Sequence, residues 1–559
     1  MDVFNEKLFE KIKNMDSRNA VESLLEVLLT SNKWQEREKS VELLLEYDDN
    51  THFSKIKNAY TNEIRSKIKL NLIDLLTKFY AKQAIPFLIG QYKNENDWKV
   101  RKYMIEKIGT TDHPEVLKFL IDTIADKDVE TKKTSIILLS RLKTVPRSAL
   151  SPLFEQLKHR NAEVFDLLIN NIVKIGKNGY LEDILEFKNK GNINVMKAIP
   201  IILGKIGDKE AKRHLIEFLK DKNYLIRLNT IEALPRLKLE QEDTMLIIKM
   251  LDDENEEVQL ASVRALGTIG DKIAIKPLFE LLKQERDQFN KFVVNSLAKI
   301  LKKSTSIKKI YEYAKKGNSN VRKETAVLLG LLKNVDAIDT LISLLNSRNV
   351  RIRRAATSSI IRISRSNKTV IEKIILALKS KEWQIRKYSA RILGIIKEET
   401  AVNQLFSLLK DPKGGVRRVV SNSLARLPEK LVVKIATKSL ESGDWKYRRA
   451  IVQLLVKIGT ENSLKPLISC LEDDDPYVKA WAARGIGRLK SLKDFEPLLL
   501  MLKNDNPKLR ISAINALGAM GGDDKISYLV EMLGDDNWEV KTEAEKALNK
   551  INPNWMSLL

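Results

Sequence analysis

Several kinds of residue are scarce in this chain of 559, and each scarcity closes off a class of protein. It has one cysteine, Cys470, so no disulfide can form within the chain. Cys470 sits in the apolar pattern of SLKPLISCLEDD and is expected to be a buried, inert thiol. The four histidines (His52, His113, His159 and His214) include no pair at ligand spacing, which argues against a zinc centre. No apolar run approaches the roughly 18 to 20 residues that cross a bilayer. The start, MDVFNEKLFEKIKNMD, mixes acids with its bases and lacks the apolar core of a signal peptide, so a cytoplasmic location is expected. There is no glycine-rich phosphate loop of the Walker type and no GxSxG elbow. Pairs such as Asp252/Asp253 and Asp523/Asp524 fall at turns, where helix capping explains them better than acid–base chemistry. These absences lead to the expectation of a non-enzymatic protein without metal or cofactor.

Also missing is any Gly/Ser-rich or Pro-rich linker. In its place one pattern recurs, seen most clearly in SGDWKYRRAIVQLLVKIG (442–459). A polar turn leads to an anchoring apolar residue, then usually Arg or Lys, an apolar run, and often Gly nine residues after the anchor. With Tyr447 as anchor, the equivalents are Val100, Thr131, Val164, Val195, Ile226, Val258, Phe289, Val321, Ile352, Ile385, Val416, Val478, Leu509 and Val540, spaced by 31 to 33 residues. Two looser copies lie around Glu36 and Ile64, for about 17 repeats. A fixed period in this range predicts an all-α solenoid. The expected divisions are an N-terminal cap with divergent repeats (1–94), regular repeats (95–550) and a C-terminal cap (551–559).

Each period holds two helical patterns. The first, as in AIDTLISLLNSR (337–348) and AVNQLFSLLKDP (401–412), has apolar residues at i, i+3, i+4 and i+7. The second starts near the anchor and runs about 13 residues. Short polar turns make the two antiparallel. Pro235, in place of a small residue, and Phe165 and Met196, in place of a base, mark repeats where the stack is expected to bend.

The segments EEVQLASVRALGTIGD (256–271), DPYVKAWAARGIGRLKS (475–491) and NPKLRISAINALGAMGG (506–522) resemble the HEAT-like repeats of phycobilisome-lyase-type proteins. The resemblance implies a superhelix with first helices on the convex side and second helices lining the concave side. It carries no iron-binding His-Glu pairs of the kind found in a HEAT-like hydroxylase, since none of the four histidines precedes Glu.

The charge is unbalanced: 98 Lys and Arg against 74 Asp and Glu give +24. Helical geometry turns positions +2, +6 and +10 from the anchor away from the apolar arc. Across the 15 repeats from Val100, 23 of these 45 positions are basic and three (Glu106, Asp166, Glu232) are acidic. The surplus therefore follows one face, and a basic inner wall would attract an anionic macromolecule. The candidate partner-binding residues are Lys323, Arg354, Arg362, Lys387, Arg391, Arg418, Arg426, Arg449, Lys457, Arg484 and Arg488, with Trp481, a tryptophan out of the repeat register. The segments 288–311 and 348–368 carry bases and no acid.

The residue just after the anchor is also basic in 11 of the 15 repeats, but it falls within the apolar arc. Its stem should be covered and its head should pair with an acceptor in an adjoining turn. Five of seven tryptophans (Trp34, Trp98, Trp383, Trp445, Trp538) stand two residues before the anchor, where helix packing is the favoured role over stacking on exposed bases.

Three classes of function fit. A scaffold docking an acidic protein along a basic concave face leads. A clamp reading the phosphates of DNA or RNA comes next. An enzyme resembling a DNA glycosylase or a bilin lyase comes last, because no catalytic Asp matches the glycosylase motif.

Overall fold

A helix pair of some thirty residues cannot cover its own apolar stripe, so each pair must be buried by the next. The computed structural model describes residues 6–158, 162–190, 193–302, 309–365, 367–489 and 495–558, and it has this form. Helices alternate along the chain with no strand among the described residues, and the fold is an α-solenoid. Contacts divide it into two compact units, Met1–Ala274 and Ile275–Leu559.

Turn chemistry starts the second helices. Asp97, Asp128, Asn223, Asn255, Asn318, Asn349, Asp444, Asn506 and Asn537 stand three residues before their anchors, and each side chain accepts a backbone N–H of the first turn. The anchors themselves are buried, as at Val100, Ile352, Val416, Val478 and Val540. The first helices are less regular than their sequence pattern predicts. Residues 337–348 form the helix Ile338–Leu344 after a 3₁₀ turn, and residues 401–412 form Val402–Ser407 followed by 3₁₀. Tightened ends satisfy carbonyls that a full α-turn would leave without donors. At Pro235 the helix Tyr224–Ala233 gives way to the 3₁₀ turn Leu234–Arg236, because proline has no N–H to continue it.

One early repeat sits a helical turn later than the sequence pattern placed it. Ile64 is 87% exposed, while Ile68, in the helix Ser66–Phe79, is fully buried. Lys69, the residue after Ile68, pairs with Glu95 at 2.7 Å, as expected for the position after a true anchor.

Two devices join neighbouring repeats. The first is a clasp made by the basic residue after the anchor. Arg386 donates from Nε to Asp411 at 2.6 Å and from Nη1 to the carbonyls of Ser380 and Lys381 in its own turn. Arg101 with Asp126, Arg227 with Asp253, Arg448 with Asp473 and Arg510 with Asp535 repeat the arrangement at 2.7–2.9 Å. In each pair the aspartate stands five residues before the next anchor and also accepts the N–H two residues further on. One carboxylate thus ties two turns together, and the expectation of a structural base at this position holds.

The second device is close approach. Gly330, Gly394, Gly487 and Gly518, nine residues after their anchors, lie against Ser359, Ser423, Ala516 and Ala547, seven residues after the next. A Cβ on Gly487 would fall 2.6 Å from the Cα of Ala516. In the Trp445–Ile458 helix the sizes are exchanged: Val456 occupies the glycine position and Gly485 faces it. Adjacent second helices therefore meet over much of their length, whereas adjacent first helices touch at few points.

The exchange yields a test. Gly485→Ala drives a Cβ into Val456 and should cost roughly 1–3 kcal/mol, while Gly485→Ala with Val456→Gly restores the commoner pairing and should recover most of the loss in thermal melts. The clasp yields another. Hydrogen bonds from Arg510 hold the Asp535 carboxyl below its ordinary value. That stabilisation is complete above the unfolded value of roughly 3.9 and is lost as pH falls through the folded value. Asp535→Asn should destabilise by roughly 2 kcal/mol near neutral pH and flatten the acid limb of the melting-temperature profile.

Candidate anion-binding cleft

Eight of the candidate cations, Arg354, Arg362, Arg391, Arg418, Arg426, Lys457, Arg484 and Arg488, are exposed, and Lys387 and Arg449 are half-buried. All lie in the unit Ile275–Leu559. They stand on, or one turn beyond, the second helices Val350–Ser364, Trp383–Ile396, Gly414–Leu424, Trp445–Ile458 and Pro476–Leu489. None of these ten forms an ion pair with a described carboxylate. Lys323 differs: it is half-buried and bonds Asp287 at 2.7 Å and Glu324 at 2.9 Å. Burial alone would lower its pKa, but the two carboxylates outweigh that and raise it, so its charge is compensated within the fold. Of the acid-free segments, residues 303–308 and 366 lie outside the described residues.

Aromatic rings accompany several of these cations. Arg484 stands 5.5 Å from the ring centroid of Trp481, Arg449 5.2 Å from Trp445, and Lys387 5.6 Å from Trp383. The repeated tryptophans divide in two. Trp445 stacks on Tyr477 of the next repeat with centroids 5.9 Å apart, and Trp34 packs against Arg65, as the packing role predicts. Trp538 is 70% exposed, and Trp98 and Trp383 also show much of their rings to solvent.

The close packing of second helices lapses between Gly414–Leu424 and Trp445–Ile458. Pro428 forces an early end to the first of these, so Ala425, at the usual glycine position, is already outside the helix. The facing position is Leu454, fully buried and larger than the Ser or Ala that faces Gly330, Gly394, Gly487 and Gly518. A cleft of about 820 Å³ results. Arg418, Arg449, Lys457 and Trp481 line it together, so four residues singled out in the sequence converge on one space.

Three more cations line the cleft: Lys410, Lys446 and Arg417. The sequence placed Arg417 in the structural ladder and left the two lysines unremarked. Lys410 lies 4.3 Å from the ring centroid of Tyr447. Two carboxylates also line the cleft. Asp411 is clasped by Arg386, and Asp444 accepts the backbone N–H of Lys446 as a helix cap. Though Lys457 reaches solvent, the cleft wall desolvates it in part, and this, joined by the charge of nearby Arg426, holds it below its ordinary pKa. Such a cation gains from any anion brought beside it.

Elsewhere, Cys470 is buried, and burial pushes its thiol up to about 12, which makes it unreactive near neutral pH. Among the described residues no cluster of three or more His, Cys, Asp or Glu could hold a metal ion. No described helix is long and apolar enough to cross a membrane.

No curated protein matches the sequence. Among solved structures, the chain is similar to Kap121p in its complex with Ste12p, at 12% identity over 99% of this chain and 83% of that one, with a TM-score of 0.42. It is similar to importin beta from a polyethylene glycol condition, at 12% identity over 98% and 94%, with a TM-score of 0.41. UNC-45 from Drosophila melanogaster is similar at 10% identity over 99% and 100%, with a TM-score of 0.29. The sequence model of HEAT repeats matches residues 85–166, 213–298, 244–328, 371–456, 433–511 and 464–549, more than half of the chain, and the chain belongs to the HEAT-repeat family.

Proposed function

We propose that this protein is a non-catalytic HEAT-repeat scaffold that docks an acidic protein along the second-helix face of its C-terminal unit, in the cytoplasm. Within the family we place its repeats with the phycobilisome-lyase type, on segments 256–271, 475–491 and 506–522, without that group's lyase chemistry. The observation that supports this reading is the run of ten cations from Arg354 to Arg488 with no ion-pair partner among the described residues, interrupted by the basic cleft. Like charges set side by side without counterions weaken a fold, so their retention calls for a ligand that supplies the missing charge.

Spacing favours a polypeptide. Adjacent helices pack about 8–10 Å apart. An extended chain advances roughly 3.3–3.6 Å per residue, so an acid at every third position meets a cation on each successive repeat. Aromatic rings beside the arginines add contact area for the side chains between.

The test uses the full chain, a fluorescein-labelled decamer of glutamate, and random-sequence single-stranded DNA as competitor, across a salt series. The peptide should bind at low ionic strength and weaken as salt rises. Arg354→Glu, Arg418→Glu and Arg449→Glu together should abolish binding while the helical circular dichroism and melting temperature stay near wild type. DNA binding much tighter than the peptide would move the function to a nucleic-acid clamp. Absence of peptide binding at low salt would rule out the acidic-protein scaffold.

Lys457 supplies a separate check. Its folded pKa lies below its unfolded one, so stability rises with pH between the two values and the charged form is disfavoured below both. Lys457→Met should therefore leave the melting temperature unchanged or higher at neutral pH, yet weaken peptide binding several-fold.

A further inference from the structure

The clasp repeated along the chain shows what an arginine at the post-anchor position is shaped to hold. In Arg386, Arg448 and Arg510 the Nε and Nη2 edge takes both oxygens of one aspartate in the following turn, while Nη1 takes a carbonyl of its own turn. Arg417 keeps the second half of this arrangement, donating from Nη1 to the carbonyls of Asp411 at 2.6 Å and Pro412 at 3.2 Å. It lacks the first half. The position that carries aspartate in those repeats is Ser442 here.

The substitution is confined to that carboxylate, because Ser442 keeps the other duties of the turn. Its hydroxyl accepts the N–H of Asp444 two residues on, at 3.4 Å, as the aspartates do, and its carbonyl accepts from Arg448. Two other post-anchor arginines also lack the aspartate, but they are otherwise engaged. Arg353 turns its Nε to the hydroxyl of Tyr388 at 3.1 Å, and Arg322 turns its Nε to the carbonyl of Ala314. The Nε and Nη2 edge of Arg417 has neither substitute. Arg417 is exposed and lines the cleft that opens where the helices Gly414–Leu424 and Trp445–Ile458 part.

We propose that the cleft seats the carboxylate of an aspartate or glutamate from an acidic partner segment on the free edge of Arg417, completing from outside the rung that Ser442 omits. The proposal deepens the scaffold function above and rests on it, naming the place where the partner is held by geometry in addition to charge. A guanidinium offers two parallel N–H donors to a carboxylate, a fit that an ammonium of equal charge cannot copy. Arg418, Arg449 and Lys457 surround the same space and supply field.

Charge-conserving variants separate the two contributions. With the glutamate decamer as probe and the full chain as receptor, Arg417→Lys should weaken binding about tenfold, whereas Arg418→Lys should change it by no more than about twofold. Ser442→Asp should place the carboxylate within the chain, raise the melting temperature and weaken the peptide at least fivefold. Gly443→Asp adds the same charge one residue away, where a side chain meets open space, and should weaken it by less than about twofold. Equal affinity of Arg417→Lys and wild type would overturn the proposal while leaving the scaffold function standing, and so would equal affinities of Ser442→Asp and Gly443→Asp. Failure of the wild-type chain to bind the peptide at low salt would overturn both.

Discussion

Everything in this molecule depends on how one helix pair is held to the next. A repeat has an apolar stripe and no core of its own, so its stability is that of its two interfaces. Many of those interfaces use side chains at constant register: a small residue nine positions after one anchor against a small residue seven positions after the next, or an arginine after the anchor against an aspartate five before the following one. Close backbone approach excludes water from the stripe. The clasped carboxylate satisfies donors in two turns at once, and burial without such satisfaction would be costly.

Because the rule is periodic, its failures are local and chemically specific. Where Val456 takes the glycine position, Gly485 returns the space and the helices stay close. Where Pro428 shortens a helix and Leu454 faces it, nothing returns the space, and a cleft opens. The same joint lacks the aspartate of the clasp. One interface thus loses both of its fasteners and gathers six cations around the opening. A joint that gives up stability in two independent ways while collecting charge of one sign has the character of a binding site, where consistency within the fold yields to function.

The cations of the second-helix face belong to the same economy of charge. Some bases elsewhere in the chain have a carboxylate to hand, as Lys323 has in Asp287 and Glu324. From Arg354 to Arg488 the outward cations have none among the described residues, and desolvation of Lys457 beside Arg426 works against its own charge. Mutual repulsion of this kind is relieved by an external anion more than by any rearrangement within rigid helices.

Periodicity alone was enough to determine the all-α architecture, the two-helix repeat and the covered role of the post-anchor arginine, because each follows from contacts at a repeating separation along the chain. It also marked the outward positions, since helical geometry is independent of the neighbours. It misjudged the start, where Ile68 and not Ile64 is the anchor: in a degenerate repeat, burial decides the register and the local pattern does not. Only the tertiary structure decided which cations are free and which are matched. Lys323 and Arg354 occupy the same repeat position, yet a carboxylate of the preceding repeat, Asp287, reaches only Lys323. It also decided that Arg417 faces an opening. Ser442 in place of aspartate was legible in the chain, but its meaning was not, because a missing partner becomes a site only where two helices stand far enough apart for something else to enter.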